Sequence, residues 1–384
     1  MKILYIPARR IMDSRDGGGV ETQKMHRALK RIEEEHSDIQ LDVLSDDLPF
    51  VSCHLRSNWT SRIFGHSLPF YFAWRKLRKK YLNAGYDVVV LGISRLGFVA
   101  RDFKMHSYNS QRSVRVIAQF HNIEADYIEV NAMRFEGLSK EIFRRIETRA
   151  IRRDEGSMVS HMDMGIFLTR RDEESCKRIY GYDGDSMILP ICVDQKDLKM
   201  LKPKENRLNL IFFGSLKFKP NQEAVLWFLR YVWKDMQNHK GLKLIIAGSE
   251  PTRDFVSEMR AHRDVIIYKD YDRIEPLLPC NSLFVAPILS GTGMKTKIAD
   301  ALSLGIPVIG SKEAMVGYEE ALINDNRALN LADTPEDYIS KINELYKSYS
   351  DEDFRDISLE AIKIWEKFYS SDRAIKDIYN LLNC

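Results

Sequence analysis

Short apolar runs alternate with longer amphipathic segments along almost the whole chain. The apolar runs contain few internal polar positions, which is typical of strands that are buried on both faces of a sheet. In chain order, these predicted strands are Lys2–Pro7, Leu41–Leu44, Val88–Leu91, Val114–Phe120, Gly165–Thr169, Met187–Leu189, Leu208–Phe213, Lys243–Ala247, Val265–Lys269, Ser282–Ala286, Pro307–Ile309 and Ala328–Leu331. The segments between them follow a helical period, as in Val20–Ile32, where apolar side chains recur at i, i+3, i+4 and i+7 from Met25 onward.

This alternation of strands and helices predicts an α/β protein with doubly wound parallel sheets that are covered by helices on both faces. Two such series lie in tandem, separated by the polar, proline-containing segment Cys192–Arg207. We therefore expect a first Rossmann-like domain over residues 1–190 and a second over residues 191–367. Residues 368–384 are predicted to form a helix that packs back on the first domain.

Composition and charge exclude several classes of protein. Of the 384 residues, 44% are hydrophobic and 29% are charged, and the net charge of +3 implies no strong polyanion-binding field. Because no nucleic-acid recognition motif accompanies the basic residues, we expect no nucleic-acid partner. The five cysteines form no CxxC pair and do not cluster with histidines, which argues against structural zinc and favours a reducing, cytoplasmic compartment. No uninterrupted apolar run is long enough to span a membrane.

Candidate chemistry in the first half lies just after the strands, where ligands bind in doubly wound sheets. The first strand leads into a long polar loop that ends in Gly17-Gly18-Gly19, just before the predicted helix Val20–Ile32. Gly18 and Gly19 would let the backbone approach a ligand closely there. A flexible loop tip is the alternative. His121 follows the fourth strand, where its imidazole could donate to a sugar hydroxyl or stabilise developing charge, or be only a structural histidine.

The second half places a further set of polar residues at its strand ends. Lys217 and Lys219 could meet phosphate oxygens, although exposed lysines are more often solvated. Tyr271 follows a strand at a corner that could hold a nucleotide base. The remaining candidates lie at tight strand–helix turns or at the start of the next helix: Gly214, Ser215, Asn221 and Gly248.

The most informative stretch runs from Ala286 to Ile309 and predicts a strand, a glycine-containing loop, a short helix and another strand. The start of this helix would present backbone N–H groups and cationic side chains, which together suit a diphosphate. The candidates there are Gly293, Met294, Lys295 and Lys297. Asp300 lies one turn further on and could accept hydrogen bonds from ribose hydroxyls; an ordinary surface pair between Lys297 and Asp300 is the alternative.

This stretch resembles the donor-site segment of glycosyltransferase family 4. The resemblance is carried by Gly293-x-Lys295-x-Lys297-x-x-Asp300-Ala301-Leu302-x-x-Gly305-x-Pro307-Val308-Ile309, with weaker support from Phe213-Gly214-Ser215, Gly18-Gly19-Val20-Glu21 and His121-Asn122-Ile123-Glu124. It implies a GT-B fold, in which two Rossmann-like domains face a cleft, a metal-independent site without a cofactor, and retention of anomeric configuration. It further implies that His121 lies against the donor sugar, that Asp300 contacts the ribose, and that both take part in catalysis.

The chain departs from the family pattern at the donor site. Thr292 stands where the family carries an acid, and Asp300 stands where it carries a glutamate. Ser215 and Pro220 lie near the positions of its phosphate-binding cations. We infer that Lys217, Lys219, Lys295 or Lys297 replaces those cations.

A basic, aromatic stretch from Arg56 to Tyr81 contains no acidic residue. Such a segment can lie on an anionic membrane surface, with its aromatic rings in the interface and its cations at the headgroups. A solvated helix with a core-facing aromatic stripe is the alternative. We expect a cytoplasmic protein that is peripheral at the inner face of the plasma membrane.

These observations predict a retaining glycosyltransferase that moves a sugar from a nucleotide-diphosphate sugar to a glycan or polyprenyl-linked acceptor in cell-surface polysaccharide biosynthesis. No carboxylate pair or Ser-His-Asp arrangement points to a covalent intermediate, so front-face departure of the nucleotide diphosphate is the expected route. A nucleotide-sugar epimerase of the same fold and a non-catalytic sugar-nucleotide-binding protein are the alternatives.

Overall fold

The computed structural model describes residues 1–8, 11, 17–44, 63–132, 138–202, 204, 206–262, 264–323, 326–347 and 351–383. The chain divides into two compact units. The first comprises Met1–Pro190 together with Ala374–Cys384, and the second comprises Ile191–Arg373.

The first unit is built on a six-stranded parallel sheet with the order β2-β1-β3-β4-β5-β6. Its strands are β1 (Lys2–Ile6), β2 (Gln40–Val43), β3 (Val88–Leu91), β4 (Arg115–Phe120), β5 (Met164–Phe167) and β6 (Asp185–Ile188). Its helices are α1 (Gly17–Glu35), α2 (Leu68–Leu82), α3 (Gly97–Ser110), α4 (Glu124–Ala132), α5 (Leu138–Val159) and α6 (Arg170–Tyr180), with a 3-10 turn at Ser94–Leu96.

The second unit repeats this architecture with the order β12-β11-β10-β7-β8-β9, again parallel. Its strands are β7 (Leu208–Phe213), β8 (Leu242–Gly248), β9 (Val265–Lys269), β10 (Ser282–Ala286), β11 (Val308–Gly310) and β12 (Leu329–Leu331). Its helices are α7 (Lys219–Phe228), α8 (Arg253–Arg260), α9 (Thr296–Ser303), α10 (Glu319–Leu322), α11 (Pro335–Lys347) and α12 (Asp351–Phe368). Leu229–Trp233 and Lys234–Met236 continue α7, and Leu198–Met200 and Glu275–Leu277 form 3-10 turns.

The central strands owe their conformation to burial on both faces. Every residue of β3 and β7 is buried, as expected for strands of a parallel sheet that is covered by helices. The prediction of doubly wound parallel sheets is therefore confirmed, and the predicted strands are found with their ends shifted by at most two residues. Asn209 is the polar exception in β7, and its side-chain amide donates to Asn281 Oδ1 at 3.1 Å.

Two predicted helix starts are wrong. Helix α1 begins at Gly17, so that Gly18 and Gly19 lie in its first turn and not in the preceding loop. Glycine is a weak helix former, but the first turn contacts the rest of the helix, where Thr22 Oγ1 donates to the carbonyl of Gly18 at 2.9 Å and the buried Glu21 pairs with the buried Lys24. Helix α7 begins at Lys219 and not at the predicted position of Asn221, since Pro220 falls in its first turn, where proline is favoured.

The last helix, α13 (Ser371–Asn383), contributes its final residues to the first unit. The ring of Tyr379 stacks on His36 with the centroids 4.2 Å apart, and Arg115 donates to the carbonyl of Leu381 at 2.8 Å. Among the described residues, no helix is long and apolar enough to cross a membrane.

Candidate functional site

The candidate site of the second unit is assembled where β7 and β8 end and α9 begins. Gly214 follows β7 with φ 154°, and a Cβ there would lie 3.1 Å from Lys297 Nζ and 3.3 Å from Asn221 Nδ2. Gly248 ends β8, where a Cβ would collide with the carbonyl oxygen of Gly214. Both positions therefore require glycine, because the two strand ends and two polar side chains converge on the same space.

Lys297 lies at the centre of this convergence. Its half-buried ammonium group donates to Asn221 Oδ1 at 2.5 Å and lies 4.7 Å from the centroid of the Phe212 ring. Asn221 in turn donates to the carbonyl of Ser215 at 2.8 Å, which fixes the orientation of its amide. No carboxylate of the described residues forms an ion pair with Lys297, so its charge is held by an amide dipole and a ring face.

Burial, together with the smaller effect of the nearby charge of Lys295, lowers the pKa of Lys297 to about 7. Lys295 itself is compensated, because its ammonium group lies 3.1 Å from Glu313 Oε1 and donates to the carbonyl of Gly293 at 2.8 Å. Of the two lysines, Lys297 is thus the one whose positive charge is left for an incoming anion to compensate.

The start of α9 is braced from inside the unit by Tyr318. The buried hydroxyl of this residue donates to the carbonyl of Lys295 at 2.9 Å and accepts the amide of Ala299 at 3.0 Å. Gly293 adopts φ 64°, which favours glycine. Met294 is buried, and its Sδ accepts the amide of Ile191 at 3.2 Å. Its side chain therefore packs into the core.

Asp300, on the second turn of α9, is held by Lys196. The ammonium group of Lys196 lies 3.4 Å from Asp300 Oδ1 and 3.9 Å from Glu275 Oε1. Burial raises the pKa of Asp300, and Glu275 adds to this, while Lys196 opposes it. Burial together with the charges of Asp300 and Glu275 raises the pKa of Tyr271 to about 12. Tyr271 and Asp300 are therefore electrostatic neighbours.

The other predicted cations of the second unit are solvated. Lys217 pairs with Glu250 at 2.8 Å, and Lys219 lies 3.7 Å from Glu223 one turn along α7. Both lysine side chains are about two-thirds exposed, at 70% and 68%. Exposed pairs of this kind contribute little, so the contacts favour Lys297 over Lys217 and Lys219 as the phosphate ligand.

The predicted residues of the first unit lie apart from this set along the chain. His121 follows β4 and is partly exposed, and the loop that carries it is anchored by the residues that come next. Glu124 forms a buried ion pair with Arg95 at 2.7 Å. The buried Glu155 accepts the amides of Glu124 and Ala125 at 3.0 and 3.3 Å and the hydroxyl of Tyr180 at 2.6 Å.

Sequence reasoning missed several residues that shape the site. Lys196, Glu275, Glu313 and Tyr318 are distant in the chain from Asp300 and Lys297, and none belongs to a recognisable motif. A buried charge such as Glu275 needs a partner, but the sequence does not say which of many lysines supplies it. No cluster of side chains that could hold a metal ion lies among the described residues.

Comparisons with known proteins identify the architecture. Residues 207–348 match the family model described as glycosyl transferases group 1. Sucrose-phosphate synthase from Thermosynechococcus elongatus is similar over 100% of this chain and 98% of that one, with a TM-score of 0.67 and 13% identity. Anabaena HepE in complex with UDP and glucose is similar over 100% and 99%, with a TM-score of 0.57 and 14% identity. The chain has the GT-B fold.

One sequence relative is named after its genomic location. An uncharacterised 44.6 kDa protein in the cps region of Klebsiella pneumoniae is 21% identical over 313 residues, which cover 79% of this chain and 76% of the relative. The group 1 match lies within the second GT-B unit and contains Gly214, Lys297 and Asp300. The candidate site thus coincides with the segment that the family model describes.

Tyr318→Phe is expected to lower the free energy of unfolding by about 1–3 kcal/mol, because it leaves the buried amide of Ala299 without its hydroxyl acceptor and removes one donor from the carbonyl of Lys295. Urea denaturation measures the change. Tyr346→Phe is the matched control, since it removes a hydroxyl that bonds an exposed carbonyl at Lys240. An equal loss in the two variants would contradict the bracing role of Tyr318.

Anion binding at Lys297 is expected to weaken as the pH rises from about 7 to about 9. In the ligand-free protein this lysine has a pKa of about 7, so it loses its proton over that interval. Isothermal titration of a nucleoside diphosphate in buffers of different ionisation enthalpy would show proton uptake on binding. Lys297→Arg, which stays protonated throughout, should flatten the profile. A wild-type affinity that does not change with pH would overturn the assignment.

Proposed function

We propose that this protein is a retaining glycosyltransferase that transfers a sugar from a nucleotide-diphosphate sugar to a glycan or polyprenyl-linked acceptor in cell-surface polysaccharide biosynthesis. The proposal rests on one observation. Lys297 forms no ion pair with a carboxylate among the described residues, and it lies where the ends of β7 and β8 meet, inside the segment that matches the group 1 model. The relative in a cps region supports the polysaccharide role. The complex of HepE with UDP and glucose supports a nucleotide sugar as the donor.

Each residue then has a defined task. Lys297 is oriented by Asn221 and places its positive charge near the diphosphate. The bond between the anomeric carbon and the diphosphate oxygen breaks, and the diphosphate leaves with its electron pair. Lys295, Gly293 and the backbone at the start of α9 complete the phosphate site. Because fixed cations and dipoles replace solvent, they stabilise the developing charge without a metal ion.

The nucleoside end is assigned to Asp300, which accepts ribose hydroxyls, and to Tyr271 at the base. His121 is assigned to the donor sugar. Retention follows if the acceptor hydroxyl attacks from the side on which the diphosphate departs, so that the leaving group can take the acceptor's proton. This route needs positioning and electrostatics, and no enzyme nucleophile.

Lys297→Ala and Asp300→Ala are each expected to lower kcat/KM for the donor by roughly tenfold to a hundredfold, because each removes a charged contact that lies in a partly desolvated site. Donor turnover with a panel of nucleotide sugars and lipid-linked glycans measures the effect. Lys341→Ala removes a half-exposed lysine of α11 that, among the described residues, pairs with Glu344 of its own helix, and serves as the control. Turnover like the wild type in both site variants would refute the site.

The same assay separates the competing functions. Consumption of the donor without any acceptor would indicate an epimerase. Binding of the donor without turnover would indicate a non-catalytic protein. This alternative is motivated by Thr292, which stands where the family pattern has an acid.

We further propose that the first unit binds an anionic membrane surface. Helix α2 divides its aromatic residues: Phe70 and Trp74 are buried in the core, whereas Phe72 is 60% exposed beside exposed Arg75 and Lys79. The core-facing stripe is thus real for part of the segment, while Arg56, Trp59 and Arg62 lie outside the described residues.

Helix α5 presents a second basic stripe with apolar members. Ile142 and Ile146 are 56% and 45% exposed, and Arg145 and Arg149 are exposed on the same helical face at i+3 and i+7 from Ile142. Exposed isoleucines beside arginines suit the boundary between headgroups and acyl chains.

Flotation with vesicles that contain phosphatidylserine or phosphatidylglycerol tests this surface. The wild type is expected to float at low salt and to be released at high salt, since surface charge is screened. The triple variant Arg75→Gln, Lys76→Gln and Lys79→Gln should float less than a control variant that removes three exposed lysines of the second unit, Lys240, Lys269 and Lys312. Equal flotation of the two variants would reject the surface.

A further inference from the structure

Lys196 connects the candidate nucleoside site to a buried carboxylate. It lies at the beginning of the second unit, just before the 3-10 turn Leu198–Met200, and its ammonium group is 3.4 Å from Asp300 Oδ1 and 3.9 Å from Glu275 Oε1. The three residues come from separate segments of the chain. Only the fold brings them together.

Burial orders this cluster from inside to outside. The Glu275 side chain is 5% exposed, that of Asp300 is 25% exposed and that of Lys196 is 33% exposed. Glu275 also lies 3.5 Å from Arg273 Nε. The inner carboxylate is therefore occupied by two cations and hidden from solvent, whereas the outer carboxylate can receive a ligand.

The charge of Lys196 opposes two influences that would protonate Asp300. Burial raises the pKa of this carboxyl, and the neighbouring Glu275 raises it further. Tyr271 lies in the same negative field. An ionised carboxylate accepts hydrogen bonds at both oxygens, whereas a protonated one gives up acceptor capacity to its own proton. A diol that donates two hydrogen bonds consequently needs the ionised form.

We propose that Lys196, anchored by Glu275, is a positioning residue of the donor site that holds Asp300 ionised and oriented toward the ribose diol, and thereby sets the preference for ribonucleotides over 2′-deoxyribonucleotides. This inference rests on the proposed function, because it takes Asp300 as the ribose contact. Lys196 acts through Asp300, so its loss should weaken the binding of a ligand more when that ligand has both ribose hydroxyl groups than when it lacks one or both.

The probes are UDP, GDP, ADP and CDP, of which the one that raises the Tm of the wild type most is titrated beside its 2′-deoxy counterpart and inorganic pyrophosphate. Lys196→Met keeps the length of the side chain and removes its charge. Lys196→Arg restores the charge. Lys199→Met removes an exposed lysine from the same segment and is the control.

Lys196→Met is expected to weaken binding of the ribonucleotide roughly tenfold, as for a charge-assisted hydrogen bond, and binding of the deoxynucleotide clearly less. Pyrophosphate binding should stay unchanged. The acid limb of ribonucleotide binding should move to higher pH, because Asp300 without Lys196 takes up its proton at a higher pH. Lys196→Arg should recover much of the selectivity, and Lys199→Met should behave like the wild type.

Several results would overturn the inference. Equal weakening of the two nucleotides with no shift of the acid limb would make Lys196 merely structural, and tighter binding by Lys196→Met would show that it blocks Asp300. If the wild type binds with selectivity and Lys196→Met is unchanged, the inference fails while the proposed function stands. If neither nucleotides nor pyrophosphate bind the wild type, both fail. Should Lys196→Met not fold, Lys196→Gln provides the same comparison.

Discussion

A half-buried ammonium group, held by an amide and an aromatic ring, is the interaction on which the candidate site depends. Lys297 can occupy this place only because Gly214 and Gly248 carry no side chain, so that two strand ends approach closely enough for Asn221 to reach it. Keeping a cation partly desolvated without a carboxylate is costly, and its lowered pKa expresses that cost. Sites of this kind favour an anionic ligand, since the ligand completes the charge that the protein leaves uncompensated.

The other charged residues around the site pair with charges of opposite sign, unlike Lys297. Lys295 is bound by Glu313, and Asp300 by Lys196, while Lys217 and Lys219 pair with carboxylates in solvent. Tyr318 fixes the start of α9 from inside the unit, which keeps Lys295 and Lys297 in place without a contact from the ligand. Lys297 and Asp300 are thus supported separately, the first through the buried hydroxyl of Tyr318 and the second through Lys196 and the buried carboxylate of Glu275.

The parts of this structure that sequence reasoning could predict are those with a local signal. The apolar runs that form β7 and β10 predict their strands, and the helix period from Met25 predicts α1, because burial imposes a pattern on neighbouring positions. The start of α1 could not be predicted in this way, since glycine is a poor helix former and the sequence does not show that Glu21, Thr22 and Lys24 are buried on this helix. The predicted ends of β7 and β10 were enough to place Gly214, Lys297 and Asp300 at the carboxyl edge of one sheet. Their partners Lys196, Glu275 and Tyr318 are separated from them in sequence, and only the packed fold identifies them.

The short side chain of Asp300 has a structural counterpart in Lys196. An aspartate is one methylene shorter than a glutamate, so its carboxylate stays closer to the helix backbone and is more easily desolvated. A cation that approaches within 3.4 Å, and is itself anchored by the buried Glu275, offsets that desolvation and restricts the rotamers of the short side chain. Lys295, at the start of the same helix, pairs instead with Glu313, which follows β11, while the nearby Thr292 is neutral. The carboxylate that compensates Lys295 thus comes from outside α9, and Lys297 is left without a carboxylate among the ion pairs of the described residues.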